Sequence, residues 1–176
     1  MKNLIKQLLR EGLENASSKL TFDTLPECVK NNFLKNITVS VAFVKADGKT
    51  VRHMAFRRNL LSYEKSQAEK TQAQANYLTN NNLMNVYDTN LFIKSKKAYM
   101  DAGMTPEEAA KKASKESYRN VKLENVLGFL CGGKFYDMRE KNDIAARFDA
   151  GVYDQLTKGM VMKMKADEDQ TTNELK

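Results

Sequence analysis

Residues 37–56 constrain this chain more than any other segment. Ile37, Val39, Val41 and Phe43 alternate with Thr38, Ser40 and Ala42, the period of a strand with one apolar face. Asp47-Gly48 follows, a pair suited to a two-residue type I′ turn. That turn sets Phe43 against Arg52, Val41 against Met54 and Val39 against Phe56, so the apolar residues of both strands share one face. A slip of one residue would scatter them, so turn and pattern support the register independently. Thr38 opposite Arg57 and Ala42 opposite His53 form the other face.

The flanking segments predict helices and further strands. Leu4, Ile5, Leu8, Leu9 and Leu13 form one stripe of an amphipathic helix over 1–15, with Lys2, Lys6 and Arg10 on another. A membrane-surface helix and a helix docked on its own domain both fit that pattern, and the docked helix is the commoner case. Lys6, Gln7 and Arg10 interrupt the apolar run, so it does not read as a signal peptide. Pro26 opens a short helix reaching Phe33 and Leu34. Residues 62–82 are a polar insert with a thin apolar stripe, readable as solvated helix or mobile loop; a strand follows at 83–87. Phe92, Ile93, Tyr99 and Met100 mark one helix, and Gly103 suits its C-terminal turn. Thr105-Pro106-Glu107-Glu108 then reads as a capping box, with Ala109, Ala110 and Ala113 as packing face.

Beyond Arg119 the strand period returns. Val121 and Leu123 alternate with polar residues, Val126 to Cys131 is an apolar run, and Gly132-Gly133 turns it into Lys134-Phe135-Tyr136. Ile144, Phe148, Val152 and Leu156 predict a last helix over 141–157. The expected organisation is one α+β domain over 1–165. It comprises N-terminal helices within 1–35, a hairpin at 37–58, the polar insert at 62–82, a helical hairpin insert at 91–117, strands at 120–138 and the final helix. Residues 166–176, ADEDQTTNELK, read as an acidic disordered tail.

Three pieces of this pattern resemble a phage protein family with a small Sm-like, SH3-type barrel, near the WYL-type barrels. They are the hairpin from Val41 to Met54, the strand Asn85-Val86-Tyr87-Asp88, and Ser117-Tyr118-Arg119-Asn120-Val121-Lys122-Leu123-Glu124-Asn125-Val126. In that family the last two follow each other closely, whereas two helices separate them here. The resemblance implies a small antiparallel SH3/Sm-like barrel or sheet carrying an N-terminal helix, the inserted helical hairpin and a C-terminal helix. Leu8-Leu9-Arg10-Glu11-Gly12 also resembles the openings of phage proteins. The family brings no settled activity, and no catalytic residue is carried over from it.

The residues themselves point to binding and not to catalysis. The single histidine, His53, falls mid-strand, where a structural or exposed role is commoner than a catalytic one. Cys28 and Cys131 are too far apart in sequence for a small disulfide framework and read as reduced core thiols. No metal-ligand spacing occurs, Gly132-Gly133-Lys134 lacks the phosphate-loop ending, and Glu107 and Glu108 suit a helix start. The expectation is a non-enzymatic protein without cofactor or metal, acting in the host cytoplasm or associated with the virion.

Charge supplies the remaining signal. The net charge is +7, and Asp167, Glu168, Asp169 and Glu174 make the tail acidic, so the rest of the chain is more basic than the whole. Solubility alone also explains such a surplus. The candidate nucleic-acid-binding cations are Lys45, Lys49, Arg57 and Arg58 on the hairpin and Lys111, Lys112 and Lys115 on the helical insert. Arg52, on the apolar face at the rim, is expected to be partly structural. Acids at the start of the second inserted helix disfavour its entry into a DNA groove. Two readings stand: a phage-type interaction protein docking on a host or virion protein, and a basic protein binding DNA or RNA with little sequence readout.

Overall fold

The computed structural model describes residues 19–59 and 72–175. The amphipathic segment 1–15 and the first part of the polar insert lie outside the described residues. The fold is α+β. Helix α1 (Glu27–Leu34) precedes the hairpin strands β1 (Val39–Val44) and β2 (Val51–Arg57). Helix α2 (Gln72–Asn80) leads into β3 (Leu83–Asp88), then α3 (Thr89–Asp101) and α4 (Pro106–Glu116). Strands β4 (Tyr118–Lys122), β5 (Val126–Cys131) and β6 (Lys134–Asp137) are followed by a one-turn helix α5 (Ile144–Arg147) and a long α6 (Lys158–Glu174).

The six strands form one antiparallel sheet in the order β4-β3-β2-β1-β5-β6. It is open, with β4 and β6 as its edges, so the described strands do not close into a barrel. The inserted helices follow β3 directly, and Asp88 caps α3 by accepting from the Leu91 amide at 3.0 Å. Among the described residues no helix is long and apolar enough to cross a membrane.

The hairpin register is the expected one: Val39 faces Phe56, Val41 faces Met54, Ala42 faces His53 and Phe43 faces Arg52. The turn is not type I′. That turn needs positive φ at both central residues, and Gly48 has φ +69° whereas Asp47 does not have positive φ. Instead Lys45 and Thr50 close a longer loop, and the Gly48 amide donates to the Lys45 carbonyl at 3.0 Å. The Asp47 carboxylate accepts from the Thr50 hydroxyl at 2.7 Å and from the Lys49 and Thr50 amides, which lowers its pKa to about 2. The type I′ requirement is met at Gly132-Gly133, both with positive φ, between the paired Cys131 and Lys134.

Both faces of the central strands are covered. Val29 of α1 packs with Val39, Val41, Met54, Phe56, Val86 and Phe129. On the opposite face Ala42, Val44, Leu127 and Leu130 meet Ile144, Val152, Leu156 and Met164. Burial on both sides explains why Val126–Cys131 is a continuous apolar run. It also moves His53 from an outer face to beneath α6, where its Nδ1 lies 3.5 Å from the Asp167 carboxylate. A bulge marks β5: Ala42 pairs with Gly128 and Phe43 with Val126, leaving Leu127 as the extra residue.

Three local features differ from the sequence expectation. The helix expected over 141–157 is one turn at Ile144–Arg147. Phe148 is extended, Gly151 has φ +101°, and a 3-10 turn covers Tyr153–Gln155. Ile144, Phe148, Val152 and Leu156 still meet one cluster, so their spacing recorded a shared destination and not a helix. Met100 stands exposed, while Phe92, Ile93 and Tyr99 pack with Ala110 and Ala113 as expected. The segment expected as a disordered tail belongs to α6. Thr157 caps that helix, Met164 and Thr171 are buried in it, and the Thr171 hydroxyl donates to Asn90 Oδ1 at 2.9 Å.

Docking of α6 carries a pH signature. Burial, reinforced by Asp169, pushes the Glu168 carboxyl up to about 7 from an ordinary 4.5. Between those values the native state binds more protons than the unfolded chain, so stability declines as pH rises through that window. Glu168→Gln is expected to flatten this decline. Thermal midpoints of both proteins from pH 4.5 to 8 provide the measurement.

Candidate docking cleft

The expected cationic site does not assemble in one place. Lys45 and Lys49 flank the hairpin turn, while Arg57 and Arg58 sit at the far end of β2, on the order of 20 Å away along the strand. Arg57 is committed internally: its Nε donates to the Thr38 hydroxyl at 2.7 Å, and burial lowers its guanidinium pKa. Lys111 and Lys115 are exposed on α4, away from the Ala109, Ala110 and Ala113 face, and Lys112 lies 4.2 Å from the Tyr99 ring centre. Arg52, expected to be partly structural, makes one ion pair within the fold and keeps its side chain 42% exposed. Its Nη2 donates at 2.8 Å to Asp88, a carboxylate only 1% exposed. Glu108 closes the capping box with Thr105, the role its position implied.

A different feature emerges from the fold. The chain before α1, the end of β2, helix α2 and the β3–β4 pair enclose a cleft of about 1110 Å³. Its location follows from the order of strands. Strand β4 is an edge, so no described strand pairs beyond it, and α2 lies over β3 before the chain enters that strand. Tyr118 opens β4 and Tyr87 is the last residue but one of β3, opposite each other in register, with their rings edge-to-face at 6.0 Å. Tyr77 projects from α2, and Phe33 and Leu34 close the α1 side.

Amides line the floor. Asn85 Nδ2 donates to Asn120 Oδ1 at 2.8 Å across the β3–β4 pair, and Asn82 Nδ2 donates to the Leu20 carbonyl at 2.7 Å. Partial burial pushes the Tyr118 phenol above its ordinary range, against a hydrogen bond with Asn85 that lowers it. Among the described lining residues the charged ones are Asp23, 3.7 Å from Lys30, and Arg58. The described lining residues offer aromatic surface and neutral hydrogen-bonding groups, and their own charges, one acid and one arginine, add little net field to concentrate a polyanion.

The sequence reading missed this cleft, although Tyr77 within a polar insert and Tyr118 in a strand were both visible signals. It also placed Cys28 and Cys131 as separate reduced thiols. The structure joins them in a disulfide, with Cα atoms 6.2 Å apart, across 103 positions of sequence. Comparison with family models, curated proteins and solved structures gives no match to this chain, so the reading of the cleft rests on its own geometry.

Proposed function

We propose that this is a non-catalytic binding protein that receives an apolar polypeptide segment of a partner in the cleft between α2 and the β3–β4 edge. One observation carries the reading. Among the described residues six large hydrophobic side chains are exposed, and three of them, Leu34, Tyr77 and Tyr118, line this one cleft. Exposed apolar residues are normally scattered, and their concentration on a concave surface marks an interaction site. Tyrosine is also among the residue types enriched as interface anchors, because a rigid ring brings large area at little conformational cost. The resemblance to phage proteins would make the partner a host or virion protein.

The second reading keeps one observation in its favour. Tyrosines interleaved with amides can stack and hydrogen-bond unpaired bases, and the chain is basic at net +7. Against it stands the separation of the cations into three places.

Selection of a displayed random-peptide library against the full chain separates the two readings. The expected result is a family of apolar, aromatic peptides binding with weak salt dependence. Tyr77→Ala and Tyr118→Ala together should weaken that binding at least tenfold, a loss of about 1.4 kcal/mol. Lys111→Ser with Lys115→Ser, exposed and away from the cleft, should leave it unchanged. The nucleic-acid reading predicts instead that a single-stranded oligonucleotide binds at low salt, with a salt slope that flattens by about 2 in the lysine variant. That outcome, without any selected peptide, would overturn peptide docking.

A further inference from the structure

The wall of the cleft nearest α1 is held by a covalent bond at its middle. Thr21, Phe22 and Asp23 line the cleft before Cys28, and Phe33 and Leu34 line it after Cys28. Cys28 itself, in the first turn of α1, is bonded to Cys131, the last residue of β5, beside the Gly132-Gly133 turn. We propose that this disulfide sets the position of the cleft wall, and that exchange with a low-molecular-weight thiol or dithiol switches docking; the proposal rests on the docking reading above.

Exposure and hydrogen bonding give the exchange a direction. Cys131 is 1% exposed, whereas Cys28 is only partly buried, so the Cys28 side of the bond is the more open to an incoming thiolate. Attack there forms a mixed disulfide on Cys28 and breaks the bond to Cys131, whose sulfur leaves as the thiolate. Asn32, one turn further along α1, donates its Nδ2 hydrogen to Cys131 Sγ at 3.3 Å, a contact that favours the leaving anion. A second thiol then attacks the mixed disulfide and releases Cys28. Overall two small thiols are oxidised to one disulfide and the protein disulfide is reduced to two thiols.

Reduction does not dissolve the wall. Leu20, Leu25, Val29 and Phe33 remain buried against the sheet and keep α1 attached. What is lost is the constraint on the first turn of α1 and on residues 21–23. A wall that moves must be ordered when a peptide binds, which lowers affinity without removing a contact.

The test compares oxidised protein with the same protein in dithiothreitol, by amide exchange and by affinity for a peptide from the selection above. Expected is exchange at least tenfold faster over residues 21–34, unchanged exchange in β1 and β2, and at least fivefold weaker peptide binding. Cys28→Ser with Cys131→Ser should reproduce the reduced behaviour and ignore dithiothreitol. Circular dichroism under both conditions verifies that the fold survives. Equal exchange over 21–34 in the two states overturns the switch and leaves docking standing. Faster exchange with no peptide bound by either form overturns docking, and the switch with it.

Discussion

Val41→Asp is expected to leave no soluble folded protein. Val41 sits at the centre of the sheet, fully buried, opposite Met54 on one side and Phe129 on the other. The substitution removes apolar contacts on a face packed under α1 and places a carboxylate where the buried cluster holds only hydrophobic neighbours. An uncompensated buried charge costs several kcal/mol, and the combined loss exceeds about 4 kcal/mol against a total stability of roughly 5–15. Val41→Ala separates the two effects: it deletes volume without charge and is expected to fold with a loss of about 2 kcal/mol. Soluble yield and chemical denaturation read both variants. A folded Val41→Asp protein with an unchanged midpoint would refute the packing of the central strand.

Gly128→Val is the second large effect, and its sign opposes local propensity. Glycine inside a strand ordinarily weakens it, so a β-branched replacement should help by this criterion. Gly128 is different because the Phe135 ring from the neighbouring β6 lies across it. A Cβ there would come within 2.2 Å of Phe135 Cζ and 2.9 Å of the Tyr136 carbonyl. The ring can swing away, but the carbonyl belongs to the β5–β6 ladder, so the edge strand must shift as well. Overpacking of this kind costs about 1–3 kcal/mol, and the backbone clash places Gly128→Val at the upper end. Phe135→Ala should itself destabilise by exposing the second face of the sheet. In that background Gly128→Ala is expected to cost less than it does alone, a coupling that a double-mutant cycle by denaturation measures.

These two positions differ in how far they could be read beforehand. Val41 was legible: alternation along 37–43 and a matching set at 52–56 agree on one register, and that register survived even though the turn between them is of another type. It survived because a longer loop that pairs Lys45 with Thr50 preserves the same pairing as a two-residue turn centred on Asp47-Gly48. Gly128 was not legible. Its need for a missing side chain comes from a ring seven residues ahead, brought across it by the neighbouring strand.

The candidate site shows the same division more sharply. Single charged residues could be named from the sequence, but their grouping could not. Lys45 and Arg57 belong to one hairpin yet lie at its opposite ends, and Arg57 turns inward to Thr38. The cleft depends on β4 being an edge and on α2 lying over β3, neither of which has a local signature.

What the sequence determined by itself were short-range matters: the β1–β2 register, the Gly-Gly turn, the Thr105–Glu108 capping box, the helix after Pro26, and the small-residue face of α4. Each is set by residues within a turn or a pair of strands, where steric limits and hydrogen-bond geometry leave few alternatives. Tertiary structure alone decided that the sheet stays open and has its central strands covered on both faces, that an acidic C-terminal segment is helical, and that Cys28 meets Cys131. The reason is physical. An apolar residue records that it will be buried but not by what, so Met164 could not reveal that it would be buried against the rest of the domain, and the polar Thr171 carried no such record at all.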